Sequence, residues 1–347
     1  MKGWTSKGIF VGDDSSVGSV NIVIFVAVNS IGRFLKDWAL VISMCAGAAA
    51  YIVYHNCPAL HPVGPLVHEV IVRLQPVLIF AMLFFAFSKV DPRKMRFRPW
   101  MLPALLIQVG IFAAMVLLVH FIPMKPGLRL LAETAMLCFI CPTATACSVV
   151  AGKLGADVNA VVTYTVLINI AVALVCPLML PLVGDVQGLS FGMAFLGILR
   201  KIFPTLIVPF LLAWLLRIVW PKGHDWVEAH SGISFVIWVF SLSLAILMST
   251  RSIMLSAAGL EAIVLIALMS LLCCVVQFAL GRRLAGVTAG QSLGQKNTVF
   301  AIWLAYTFLN PLISVAGGFY SIWHNIFNSI QLKRHSQCSA GQVASSL

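Results

Sequence analysis

Ten apolar stretches of membrane-spanning length constrain this chain more than any other feature. They lie at roughly 38–55, 70–88, 100–120, 128–153, 158–182, 203–220, 231–250, 258–280, 291–309 and 312–331. A helix that crosses a bilayer needs about 20 predominantly apolar residues. Only 10% of the residues are charged, whereas soluble domains carry about 25%. The sequence therefore predicts an all-α membrane protein with ten transmembrane helices.

The basic residues predict the orientation of this bundle. The formal net charge is +12, and most Lys and Arg residues fall in cytoplasmic loops if both termini are cytoplasmic. The loop "KVDPRKMRFRPW" between the second and third spans is the most basic of them. The membrane topology thus explains the positive charge. We expect the lipid bilayer to be a partner of the protein and expect no binding of nucleic acid. A bacterial inner membrane is the simplest location.

One transmembrane domain, residues 38–332, accounts for most of the chain. We expect residues 1–37 to form an extension that is partly disordered or lies on the membrane surface. Residues 188–201, which end in Arg200 and Lys201, have the pattern of a separate interfacial amphipathic helix. We expect residues 333–347 to form a disordered cytoplasmic tail.

Ten spans divide into two sets of five, which predicts an inverted repeat. An odd number of spans in each half gives the halves opposite orientations, as in many secondary transporters. The repeats would cover residues 38–182 and 188–332, so that the fourth and ninth spans correspond. Both are interrupted, the fourth by Pro142 in "CFICPTATACSVV" and the ninth by Gly294 in the polar run "QSLGQKN".

The two interruptions predict a central binding site. Thr143 or Thr145 could cap the restarted half of the fourth helix, and Asn297 or Thr298 that of the ninth. Non-helical backbone at membrane depth is tolerated only where protein buries it or where it lines a cavity. Helix N-termini favour anions and freed carbonyls favour cations. For either break alone, a proline kink or a glycine-packed helix is the alternative explanation.

At these motifs the sequence resembles the bile acid:sodium symporter family, along roughly residues 38–332. The similar stretches are "CPTATACSVV", "GQKNTVFAIWLAYTFLNP", "FYSIWHNIFNS" and "PTLIVPFLLAWLLR". The resemblance implies ten helices with crossed, broken fourth and ninth helices, and transport of organic anions by alternating access. It implies substrate contacts at Thr145, His324 and Asn325. It places the ion-site positions at Gln108, Cys147, Ser148, Thr165, Ser292, Gln295 and Lys296.

Two substitutions at these positions argue against sodium coupling. The family's carboxylate falls at Ser292, and a ligand amide is replaced by the ammonium of Lys296. A positive charge repels a cation at this distance. We hypothesise that Lys296 stands in for the coupling ion and donates hydrogen bonds to the oxygens that sodium would bind. It could act as a fixed charge or as a group that binds and releases a proton. The alternative is a lysine that snorkels to the surface or pairs with a carboxylate such as Glu133.

The sequence favours a secondary transporter of a bile-acid-like or smaller carboxylate. The anion-favouring features are Thr143–Thr145, Asn297–Thr298 and Lys296. A membrane sensor with a transporter fold and a conventional sodium:organic anion symporter remain alternatives. An intramembrane enzyme would need a motif such as GxSxG, HExxH or paired aspartates within the bundle, and the predicted spans contain none. We expect no enzymatic activity, no cofactor and no metal site, and sodium, although possible, is disfavoured by the substitutions above. The substrate, the coupling ion and the oligomeric state are left open.

Overall fold

The computed structural model describes residues 38–183, 190–256 and 259–345, and the described part is α-helical. Short 3₁₀ turns join some of the helices. The α-helices are α1 (Ala39–Asn56), α2 (Gly64–Ser88), α3 (Met101–Phe121), α4 (Pro126–Ile140), α5 (Cys147–Lys153), α6 (Val158–Met179), α7 (Phe191–Leu206), α8 (Val208–Val219), α9 (Pro221–Ala229), α10 (Ile233–Leu255), α11 (Leu260–Gly294), α12 (Thr298–Phe308) and α13 (Ser314–Ser345).

Seven helical segments of the described chain are long and apolar enough to cross a membrane. They are Ala39–Asn56, Pro58–Ser88, Met101–Phe121, Val158–Leu182, Phe191–Val219, Ile233–Leu255 and Leu260–Gly294. The expectation of a multi-pass, all-helical membrane protein is confirmed. The predicted fourth span is divided between α4 and α5, and the predicted ninth between the end of α11 and α12. These pieces are too short to count as spans by themselves. The predicted tenth span lies within α13, which is long enough but is not among the seven apolar segments.

The structure differs from the sequence-based expectation at both ends of the second half. The prediction of a separate interfacial helix at 188–201 is wrong. Only Ile207 separates α7 from α8, and the two helices together form one candidate span. One face of α7, which includes Ile198 and Ile202, is buried against protein. An amphipathic pattern alone does not distinguish such a face from one that faces lipid.

The two terminal predictions have different outcomes. Residues 333–345, expected to be a disordered tail, continue α13 as helix. The predicted extension 1–37 lies outside the described residues. Helix α9, which begins at Pro221, was not predicted from the sequence. Its buried His224 ring forms a hydrogen bond with the Ser88 carbonyl at 2.9 Å.

Most of the helices pack as two groups. The smaller group contains α1, α2, α8, α9 and α10, and the larger group contains α3 to α6 and α11 to α13, while α7 packs on α6 and on α2. Within the smaller group, the Gln75 amide of α2 donates to the Ser241 hydroxyl of α10 at 2.9 Å. The groups meet mainly where α10 contacts α12 and α13, and there the Ser249 and Ser314 hydroxyls are 3.2 Å apart. Both helix breaks belong to the larger group.

A tight reversal inside α11 separates the predicted eighth and ninth spans. Ala285 has φ −155° and ψ 46°, and Gly286 has φ 59° and ψ −140°. This conformation of Gly286 is open essentially only to glycine. The chain therefore turns back on itself, and the residues after Gly286 run beside the end of the preceding helical segment.

We expect Gly286→Ala to destabilise the protein by about 1–3 kcal/mol, because a side chain is strained at this φ and ψ. Thermal unfolding in detergent would measure the loss. Gly197→Ala is the matched control, since Gly197 is helical and a Cβ there meets no atom within 4 Å. Equal melting temperatures for the two variants would show that the turn is not under this constraint.

Candidate functional site: the junction of two helix breaks

The first break lies between α4 and α5. Pro142 has no backbone N–H and ends the helical hydrogen-bond ladder of α4. The helix restarts after Ala146, and no side chain caps α5. The predicted cap by Thr143 or Thr145 is therefore wrong. The reason is that the Thr143 hydroxyl donates instead to the Ser292 carbonyl of the other broken helix, at 2.7 Å.

The second break lies between α11 and α12. Gly294 ends α11, and the Asn297 side chain accepts a hydrogen bond from the Phe300 N–H at 3.2 Å. Of the two predicted caps, Asn297 is thus the one that acts. Asn297 is 5% exposed and Thr298 is 4% exposed, so α12 begins in the protein interior.

The two breaks meet, and their backbones hydrogen-bond each other. The Asn297 N–H donates to the Pro142 carbonyl at 2.8 Å, and the Ala144 N–H donates to the Gln295 carbonyl at 3.0 Å. These bonds make an antiparallel bridge between Thr143 and Lys296. We call the two non-helical segments, 141–146 and 295–297, the junction. Each segment supplies polar partners that the other has lost from its helix, which makes irregular backbone possible away from water.

On each side of the junction, a buried pair of one glutamine and one tyrosine satisfies a backbone carbonyl that a helix break has left without its helical partner. Gln108 donates to the Cys141 carbonyl at 3.0 Å and accepts from the Tyr164 hydroxyl at 3.0 Å. On the other side, Tyr320 donates to the Gly294 carbonyl at 3.0 Å and accepts from the Gln277 amide at 3.1 Å. The junction is thus held by α3 and α6 on one side and by α11 and α13 on the other.

Three tyrosine variants would test this support. Tyr320→Phe should cost about 1–3 kcal/mol, because it leaves the Gly294 carbonyl without its donor and the Gln277 amide with one acceptor fewer. Tyr164→Phe removes a single bond and should cost less. Tyr51→Phe is the control, since the described residues show ring contacts of Tyr51 but no hydrogen bond of its hydroxyl. Thermal unfolding should rank the variants in that order, and equal losses would contradict the assignment.

Lys296 lies in the centre of the junction. Its side chain is 1% exposed, and its Nζ has no hydrogen-bond partner among the described residues. It lines a small cavity of about 10 Å³, together with Cys138, Cys141, Thr298 and Tyr320. Such a cavity has room for about one water molecule. The titratable groups around the amine include the thiols of Cys138, Cys141, Cys147, Cys273 and Cys274, and the Tyr320 hydroxyl group belongs to a residue that lines the same cavity.

Two expectations for Lys296 are corrected by this arrangement. Glu133 is not its partner, because that carboxylate pairs with Arg129 at 2.8 Å within α4. The amine also does not donate to the oxygens of the expected sodium site. The Gln108 oxygen already accepts from Tyr164, and the lysine side chain lies in the thiol-lined cavity instead.

The structure brings some of the other predicted residues to the junction and leaves others apart from it. His324 is 7% exposed, and its Nδ1 lies 3.5 Å from the Lys296 backbone N–H. Cys147 is buried against Ala151 and Val161. Thr145 and Gln295 lie within the junction, but the Gln295 amide bonds Gln291, and the Thr145 backbone carbonyl accepts from the Ser148 hydroxyl. The side chains of Thr165, Ser292 and Asn325 bond carbonyls one turn earlier on their own helices.

Sequence reasoning missed Tyr164, Gln277 and Tyr320, and it assigned no role to the cysteines near Lys296 other than Cys147. One signal was available, since Gln277 is an amide in the middle of an apolar run, as Gln108 is. The cysteines carried no such signal, because their grouping around Lys296 depends on how α4 packs on α11. Among the described residues, no group of three or more His, Cys, Asp or Glu side chains is arranged to hold a metal ion.

Comparison with known proteins does not assign the chain to a family. No protein-family model matches the chain. No curated protein matches it significantly either. The function must therefore be argued from the junction itself.

Proposed function

We propose that the chain is a secondary transporter of a small organic anion that works by alternating access. The observation that carries this proposal is the meeting of two helix breaks around an unpaired, buried lysine. Transporters place their substrate sites where discontinuous helices meet near the middle of the bilayer. A purely structural bundle gains nothing from two breaks that must satisfy each other.

We further propose ten membrane spans in a 5+5 inverted repeat. Helices lie at every predicted span, and each half contains one broken helix in its fourth place. The larger group of helices would carry the junction and move against the smaller group. The interface between them is suited to sliding, because its described polar contact is a single pair of hydroxyls, Ser249 and Ser314.

The proposed ligand is an anion because the site offers positive charge and holds no carboxylate. No described Asp or Glu pairs with Lys296. A buried ammonium without a partner costs several kcal/mol, and a bound carboxylate would remove that cost. The start of α12 at Thr298 lines the same cavity and adds the favourable end of a helix dipole. In this proposal the described conformation is an occluded state, since Lys296 is only 1% exposed.

We propose that sodium does not drive this transport. An oxygen-rich, negatively charged site is what sodium requires, whereas the junction presents an amine, thiols and amides that are already bonded. Lys296 would supply a positive charge at the junction, either as a fixed charge or as a proton carrier. The basic loop between α2 and α3 supports an orientation with both termini in the cytoplasm. A bacterial inner membrane is part of the proposal as the simplest location.

Flux into proteoliposomes tests the proposal. Purified protein should accumulate or exchange a labelled carboxylate, found first by thermal-shift screening of bile acids, keto acids and pantothenate-like acids. Uptake should be equal in sodium and choline buffers. Binding without flux would identify a sensor with a transporter fold. Uptake that rises strongly with sodium would overturn the assigned role of Lys296 and leave a conventional symporter.

A further inference from the structure

A positively charged cavity lies between the loop that joins α2 to α3 and the start of α6. It has a volume of about 330 Å³ and is lined by Arg93, Lys94, Arg96, Arg98, Asp157 and Asn159. This is the size of a small-molecule site. The loop between α2 and α3 supplies the four cations, and the start of α6 supplies the opposite wall.

The acidic residues near this cavity are already paired. Asp157 accepts from Arg98 at 3.0 Å and caps α6 by accepting the Ala160 N–H at 3.1 Å. Asp91 lies 3.6 Å from Arg217 and accepts the Arg93 backbone N–H. The side chains of Arg93, Lys94 and Arg96 form no ion pair within the described residues. Three cations therefore face one cavity without a counter-charge from the protein.

The position of the loop indicates the kind of anion. Phe97 stands between Arg96 and Arg98 and is 59% exposed, which suits contact with lipid. Trp100 immediately precedes α3, and its ring centroid lies 5.4 Å from that of Tyr164. Tryptophans at the ends of spans mark the level of the lipid headgroups. The unpaired cations thus lie at the depth where lipid phosphates are found.

We propose that this cavity binds a phosphate group, that of an anionic phospholipid at the membrane surface. The two guanidinium groups can each hold phosphate oxygens in bidentate geometry, and Lys94 adds a point charge. Basic pockets between membrane helices bind anionic headgroups in this way. The bound phosphate would tie the loop to the start of α6. This inference does not depend on the proposed transport activity.

The test compares two triple variants of the full chain purified in a neutral detergent. The first is Arg93→Gln/Lys94→Gln/Arg96→Gln. The second, Lys222→Gln/Arg282→Gln/Arg283→Gln, removes the same charge from exposed positions outside the cavity. Arg98 is left intact because it pairs with Asp157. Thermal stability is then followed against phosphatidylglycerol, phosphatidylcholine and inorganic phosphate.

We expect phosphatidylglycerol, and not phosphatidylcholine, to stabilise the unchanged protein and the second variant. Each cation near an anionic surface contributes about a fivefold change in binding, so the first variant should bind roughly 100-fold more weakly. A result in which inorganic phosphate instead stabilises the unchanged protein and the second variant, but not the first, would also support the site. That result would identify free phosphate as its ligand. Equal responses of the two variants, or no response of the unchanged protein to either anion, would overturn the proposal.

Discussion

Lys296→Met should abolish uptake and at the same time make the protein more stable. Methionine has about the volume of lysine but does not need a counter-charge. Replacing a poorly compensated buried charge by an apolar side chain of similar size stabilises proteins by about 1–4 kcal/mol. Binding of a carboxylate should weaken by roughly 1.5–3 kcal/mol, or about 10- to 150-fold, because the charged hydrogen bond is lost. Uptake in proteoliposomes and thermal unfolding in detergent measure the two effects.

The matched control is Lys125→Met at the start of α4. Lys125 is exposed, so this change removes a lysine without altering a buried site. It should leave both uptake and melting temperature close to those of the unchanged protein. If Lys296→Met transported normally, the amine would have no role in the cycle. If it were inactive but also less stable than the control, the loss of uptake would reflect damage to the fold.

Gly281→Ala should be among the most destabilising single-methyl changes in the chain. A Cβ at this position would lie 2.4 Å from the Ala289 carbonyl oxygen and 2.7 Å from the Gly290 Cα. Both contacts are with backbone, which cannot rotate away as a side chain can. We expect a loss of about 3 kcal/mol from overpacking. The segment after Gly286 would be pushed outward, and it carries Ser292, which accepts from Thr143.

Gly110→Ala provides a control of the same chemistry in another helix. A Cβ on Gly110 meets no atom within 4 Å, and the residue lies within α3. Alanine is the better helix former by up to about 1 kcal/mol, so this variant should be neutral or slightly more stable. Thermal unfolding and uptake should separate the two variants clearly. Similar behaviour of both would show that the close approach at Gly281 is relaxed in the membrane.

The positions of the two breaks could be predicted because their causes are local. Pro142 cannot donate a helical hydrogen bond in any context, and the polar run after Gly294 is visible in the sequence. The cap at Asn297 follows from the same local chemistry. The cap at Thr143 failed because a partner 149 residues away, the Ser292 carbonyl, took its hydroxyl. Local preference is overridden where a distant group offers a buried hydrogen bond.

The surroundings of Lys296 could not be predicted for a related reason. The sequence shows a lysine in an apolar region but not which neighbours its amine meets. That depends on how α4 lies against α11, which brings cysteines from two distant segments together. The pairing of Glu133 with Arg129, by contrast, is an i, i+4 contact within one helix. It could have been read directly from the sequence.

The mutual pairing of the two breaks has a consequence for how the protein is made. The Pro142 carbonyl and the Ala144 N–H leave the ribosome about 150 residues before Asn297 and Gln295, their partners. At a synthesis rate of about 5–20 residues per second, they wait roughly 8–30 s. During that interval the first half of the chain cannot complete its own hydrogen bonds in lipid. Water or the insertion machinery must hold its polar backbone, so the two halves should mature as one cooperative unit rather than in succession.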